Sequence, residues 1–189
     1  MHRAFVAAIP PTDVVEHLEE FLSVRRDAAA YRWTLPDQWH VTLAFATDLP
    51  DRSLDDAVEH IARTAAKQPE LTLGFVGGGA FPHPDQAKVL YADVAGGETA
   101  RSHLEQLATN TRAALNKAGA KVDGQRFRPH VTLARLGQPE NVTRWIRVLD
   151  AYTGPSWTVT ELALVESHLG EGPGRRPRYE VRETFPLGS

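Results

Sequence analysis

His40-Val41-Thr42-Leu43-Ala44 and His130-Val131-Thr132-Leu133-Ala134 are the same pentapeptide, set 90 residues apart in a chain of 189. With ordinary residue usage, a repeat of that length arises by chance on the order of one time in a hundred. Each copy sits in the third element of its half of the chain. Before the first come a strand over Arg3–Ala8, a stop at Pro10-Pro11, and a helix in which Thr12 or Asp13 caps Val14, Val15, Leu18, Phe21 and Leu22 at helical spacing. The motif strand covers Trp39–Ala46. Ser53 then caps a helix carrying Leu54, Ala57, Val58, Ile61 and Ala65, and a strand over Leu71–Val76 ends at Gly77-Gly78-Gly79. The second half repeats the order: strand Lys88–Val94, helix Glu98–Ala118, motif strand Arg128–Leu136, helix Asn141–Leu149, strand Trp157–Val165. A last strand, Tyr179–Phe185, follows the loop Gly170–Pro177. Two halves of strand, helix, strand, helix, strand imply a tandem duplication whose lobes, residues 1–80 and 88–175, face each other across a cleft, with 178–185 completing the sheet.

Successive side chains of a strand point to opposite faces. Val41, Leu43 and Phe45, like Val131 and Leu133, are expected against helices; His40, Thr42, His130 and Thr132 then point into the cleft. Two imidazoles without a nucleophilic Ser or Cys suit paired general acid–base catalysis, one ring taking a proton while the other gives one. The Thr hydroxyls suit hydrogen bonds to anionic oxygens. A phosphodiester needs both services. A third ligand at metal-site spacing and a His-Glu-x-x-His motif are both missing from the sequence, which disfavours a zinc centre. His2, His17, His60, His83, His103 and His168 are expected to be surface or structural.

The composition narrows the setting. The chain has 21 Lys+Arg, 24 Asp+Glu, 8 His, no Cys and 42% hydrophobic residues. That excludes a disulfide scaffold, thiol chemistry and a chiefly disordered chain. The stretch Ala4–Ile9 is too short for a signal-peptide core, and nothing approaches the ~20 apolar residues of a membrane span, so a soluble, cytoplasmic protein is expected. Charge is uneven: residues 1–94 hold 8 Lys+Arg against 14 Asp+Glu (−6), residues 95–189 hold 13 against 10 (+3). A net charge of −3 argues against coating long nucleic acid, while a basic patch for one or two phosphates fits the C-terminal half.

These residues resemble the 2H phosphoesterase superfamily, and within it the RNA 2′,3′-cyclic phosphodiesterases, historically also called 2′-5′ RNA ligases. The resemblance covers nearly the whole chain. It runs through Arg3-Ala4-Phe5-Val6-Ala7 and Pro10-Pro11; Trp33-Thr34, Pro36, Trp39 and His40-Val41-Thr42-Leu43; Phe81-Pro82 to Val89-Leu90-Tyr91; Phe127-Arg128-Pro129-His130 to Arg135; Val165-Glu166-Ser167; and Tyr179 to Leu187. Ala46-Thr47 stands where the family usually has Leu-Gly, and the loop Gly170–Pro177 is richer in Arg and Gly than the usual link.

The resemblance implies an α+β fold, a bilobal pseudo-symmetric duplication with two largely antiparallel sheets lining a central cleft and helices outside. It implies His40 as proton donor, His130 as proton acceptor, and Thr42 and Thr132 as holders of phosphate oxygens. Arg128, two residues before His130 and on its face, and Arg135, which an ideal strand would turn the other way, are the candidate substrate-binding arginines. No metal or nucleotide cofactor is implied. The partners implied are RNA ends or small cyclic nucleotides, with no membrane, no obligatory protein partner and a monomeric chain. Ligation through a 2′-5′ bond and a non-catalytic nucleotide-binding module are the alternatives.

Overall fold

The structure is a computed structural model and describes residues 2–188. In chain order its main elements are β1 (His2–Ala8), α1 (Thr12–Ser23), β2 (Arg32–Trp33), β3 (Val41–Leu49), α2 (Leu54–Ala66), β4 (Leu71–Phe81), β5 (Ala87–Ala95), α3 (Glu98–Lys117), β6 (Lys121–Val122), β7 (His130–Glu140), α4 (Thr143–Asp150), β8 (Thr153–Val159), β9 (Glu161–His168) and β10 (Arg178–Pro186). The helices bury the faces their spacing dictates: Val14, Leu18 and Leu22 on α1, Ala57, Ile61 and Ala65 on α2, Leu104, Leu107, Ala108, Ala114 and Leu115 on α3. Capping departs from expectation. Neither Thr12 nor Asp13 caps α1, and Ser53 precedes α2 without a capping bond from its hydroxyl. Asp13, Asp55 and Asp56 in the first turns complement the helix dipoles instead.

The strands form two five-stranded antiparallel sheets, ordered β10-β9-β1-β3-β6 and β8-β4-β5-β7-β2. Their membership does not follow two contiguous stretches of chain. The third strand of each half crosses over: β4 pairs with β5, and its counterpart 90 residues on, β9, pairs with β1. Trp157–Val165 is accordingly two strands rather than one. The ladder breaks at Thr160, so that β8 joins β4 in one sheet while β9 joins β1 in the other. The two-residue strands, unexpected from the sequence, obey the same exchange: β2 pairs with β7 and β6 with β3. The crossover ties both sheets to one core, in which Val6, Val41 and Leu164 of the first sheet cluster with Phe75, Leu90 and Val131 of the second and with the buried helix faces.

The triple glycine does not end its strand; β4 runs on to Phe81. Gly77, at φ 68°, lies where the register against β5 slips between Phe75 and Gly78, a bulge that glycine takes without strain. Gly79 pairs directly with Tyr91, and a Cβ at Gly79 would come within 2.3 Å of the Tyr91 hydroxyl. The missing side chain is the space the Tyr91 ring occupies. Among the described residues, no helix is long and apolar enough to cross a membrane.

Candidate active site

Strict alternation holds through the first residues of each motif and then breaks, identically in both. Ala7 pairs with Thr42 but Val6 with Ala44, so Leu43 is an extra residue and both Leu43 and Ala44 are buried in the core. Tyr91 pairs with Thr132 but Leu90 with Ala134, leaving Leu133 extra in the same way. A one-residue bulge reverses the alternation beyond it. Phe45, expected against the helices, therefore packs on the cleft side with Phe5, Ala7 and Tyr179. Arg135 is likewise returned to the face that carries His130 and Thr132, and it lines the cleft. Arg128 lines it too, its guanidinium 5.8 Å above the rings of both Phe81 and Tyr91.

The two histidines are held by the same device. His40 donates its Nδ1–H to the Gln38 carbonyl at 2.7 Å, and His130 donates its own to the Arg128 carbonyl at 2.6 Å. Each bond reaches two residues back, fixes the tautomer and leaves Nε2 as the nitrogen that faces the cleft. Aromatic walls set the ring planes. His40 stacks on Phe5 (centroids 4.3 Å apart, planes at 17°) and meets Tyr179 edge-on at 5.5 Å. His130 meets Phe81 at 5.0 Å and Tyr91 at 5.3 Å, both edge-on. The Tyr91 ring that Gly79 admits is thus one wall of the His130 site.

Those walls disfavour charge on the rings. Burial pushes His40 down from 6.5 to about 4, the Gln38 carbonyl opposing it and the neighbouring His130 and Arg135 adding to it. Burial also lowers His130, with Arg135 and Arg128 acting in the same direction and the Arg128 carbonyl and Asp93 in the other. At neutral pH both imidazoles are therefore neutral.

His40, Thr42, His130, Thr132, Arg128 and Arg135 all line one cleft of about 1360 Å³ between the sheets. Among the described residues it also presents Arg3, Arg32, Arg101, Arg126 and Arg176, against Asp93, Glu105 and Asp123. Such a surplus of guanidinium groups suits an anionic ligand. Sequence reasoning missed Phe5, Tyr91, Phe81 and Tyr179 as walls of the site, because their strands were legible but not which face each residue took. The Arg-rich loop is part of the cleft as well. It is pinned by Gln38 Nε2 donating to the Pro177 carbonyl (2.7 Å) and by Arg176 Nε donating to the Trp33 carbonyl (3.0 Å). Three other histidines take structural partners: His17 bonds Tyr152 (3.0 Å), His2 bonds Glu166, and His168 bonds Glu180 (3.0 Å). Glu166, His168 and Glu180 cluster closely enough to hold a cation, but Arg182 already bridges the two carboxylates, at 3.3 and 3.4 Å.

Comparison with known proteins extends the match beyond the two motifs. The sequence model of the 2′-5′ RNA ligase superfamily matches residues 7–171. An RNA 2′,3′-cyclic phosphodiesterase of Thermus thermophilus is 29% identical over 187 residues, covering 98% of this chain and 90% of its own. One of Geobacillus stearothermophilus is 25% identical over 186 residues, 97% of this chain, although this chain spans only 56% of that relative's length. LigT of E. coli in apo form shares the fold with a TM-score of 0.77 at 25% identity, covering 100% of this chain and 98% of that one. With both His-x-Thr motifs, the Phe81 and Tyr91 walls of the His130 site and the joining segment inside the matched range, the chain belongs to the 2′-5′ RNA ligase superfamily.

Proposed function

We propose that the protein hydrolyses RNA 2′,3′-cyclic phosphate ends to 2′-phosphomonoesters by paired-histidine acid–base catalysis without a metal. The observation that carries this reading is the matched pair of Nδ1–carbonyl bonds, which aims one Nε2 from each lobe into the same cleft. The names of the relatives in Thermus and Geobacillus support the substrate class. In this reading, phosphorus sits between the rings. His130 removes a proton from water as its oxygen bonds to phosphorus, the bond from phosphorus to the 3′ oxygen breaks, and His40 gives its proton to that oxygen. His130 ends protonated and His40 neutral, and exchange with solvent resets them. Thr42 and Thr132 donate to the non-bridging oxygens, and Arg135 and Arg128 offset their charge. The same guanidinium groups oppose a divalent cation at that spot, which supports metal independence. All of these groups come from one chain, which supports a monomer as the working unit.

The test is incubation of an oligoribonucleotide ending in a 2′,3′-cyclic phosphate, with and without a chelator, the product's phosphate position being read by NMR. A 2′-phosphate formed equally in both is expected. Loss of activity in chelator, restored by zinc, would overturn the metal-free reading, and longer products with a 5′-hydroxyl partner would favour ligation.

The lowered pKa values of the rings add an expectation for pH. Catalysis needs one proton shared by the two rings, and the free enzyme holds that proton only below the upper of two coupled titrations. Because both rings lie below the ordinary 6.5, kcat/KM is expected to fall with rising pH along a limb centred below that value. Bound phosphate favours the imidazolium, so the corresponding limb of kcat should lie at higher pH. Steady-state rates across the pH range check both statements, and a kcat/KM limb centred above 6.5 contradicts them.

A further inference from the structure

We propose that Arg32 and Arg176 form a second anion subsite, which takes the phosphate on the 5′ side of the terminal nucleotide while the cyclic phosphate lies between the histidines. The proposal rests on the function argued above and adds to it the feature of the substrate that is recognised.

The bulge at Leu133 turns Arg135 into the cleft, and the residue directly opposite it on β2 is Arg32. Arg32 lines the cleft beside Arg135. Two like charges directly opposite on neighbouring strands destabilise a sheet unless something answers them. Among the described residues, Arg32, Arg135 and Arg176 form no ion pair. The carboxylates of the cleft, Asp93, Glu105 and Asp123, belong to β5, α3 and the segment after β6, and none of them forms an ion pair with Arg32, Arg135 or Arg176.

The charges are nevertheless held in place. Arg32 Nη2 donates to the Gly174 carbonyl (3.0 Å), Arg176 Nε to the Trp33 carbonyl (3.0 Å), and Arg176 Nη1 to the Pro173 carbonyl (3.3 Å). The loop reaches this position through two consecutive left-handed residues, Gly174 and Arg175, both at φ 61°, and the second is a conformation that side chains rarely adopt. Guanidinium groups fixed by neutral carbonyls and left without counter-ions are prepared for phosphate, which accepts several of their hydrogen bonds at once. Arg32 lies one strand beyond Arg135, about 4.8 Å across the sheet. The cyclic phosphate on the histidine side of Arg135 and the next phosphate on its far side therefore meet a continuous run of positive charge.

The test compares three substrates: a nucleoside 2′,3′-cyclic phosphate, the same compound with a 5′-phosphate, and a dinucleotide ending in a 2′,3′-cyclic phosphate. Relative to the first, the other two are expected to show kcat/KM higher by about tenfold or more, the scale of one charge-assisted contact. An advantage for the 5′-phosphate alone identifies a terminal monoester as the ligand, and an advantage for both identifies any 5′-side phosphate. In Arg32→Gln and Arg176→Gln, which keep a donor for the carbonyls but lose the charge, the advantage should shrink to less than about threefold on the same scale. A wild-type ratio near one, or ratios unchanged in both variants, overturns the subsite. Failure of the wild type to hydrolyse any of the three overturns the underlying function instead.

Discussion

Replacing His130 or His40 by Ala is expected to lower kcat on a cyclic phosphate at least about 10²-fold, within the 10²–10⁴-fold range of a positioned acid or base. Circular dichroism and thermal melting should confirm that both variants fold, since each ring packs on aromatic walls. The two substitutions separate on a second substrate. An aryl phosphodiester, whose departing oxygen is stable as an anion, needs no proton on leaving. His40→Ala should therefore recover most of its lost rate on the aryl ester, whereas His130→Ala should stay slow, because water still needs a base. Equal impairment of both variants on both substrates would reverse or dissolve the assignment of donor and acceptor. Burial holds the proton affinity of His40 low, so its donor role requires the negative charge that phosphate brings to the cleft.

Arg135→Ala is expected to reduce kcat/KM by about 10- to 100-fold, the loss of a charged hydrogen bond worth about 1.5–3 kcal/mol. Arg135→Lys should recover part of it, keeping the charge without the bidentate fork. The alanine variant also removes a charge that depresses both histidines, so its kcat/KM limb should move toward higher pH. Near-wild-type kinetics and an unmoved limb would remove Arg135 from the site.

The repeated pentapeptide makes the two-fold plan and the four central side chains legible, because His and Thr two residues apart share a face of any strand, and apolar spacing makes the helices legible. The reach of that argument ended at Leu43 and Leu133. A bulge has no signature in hydrophobic alternation, so alternation alone puts Phe45 and Arg135 on the faces opposite to those they take. The crossing of β4 and β9 was hidden for a different reason: strand order is decided by which edges meet in three dimensions, and Trp157–Val165 reads as one continuous apolar run. The triple glycine reads as a terminator because glycine usually interrupts strands; in the structure Gly79 makes room for the Tyr91 ring. β2 and β6 are two residues each, too short for any periodicity to register.

The crossing strands have a bearing on how the molecule holds together. A cut in the turn between β4 and β5 would leave an N-terminal fragment carrying β4, whose neighbours all belong to the other piece, and a C-terminal fragment carrying β9 and β10 without β1. Neither piece owns an intact scaffold, so the two halves of the duplication are no longer autonomous, and separately made fragments have reason to fold only on meeting each other. The imidazoles thus sit on parts of the chain that cannot come apart without unravelling both.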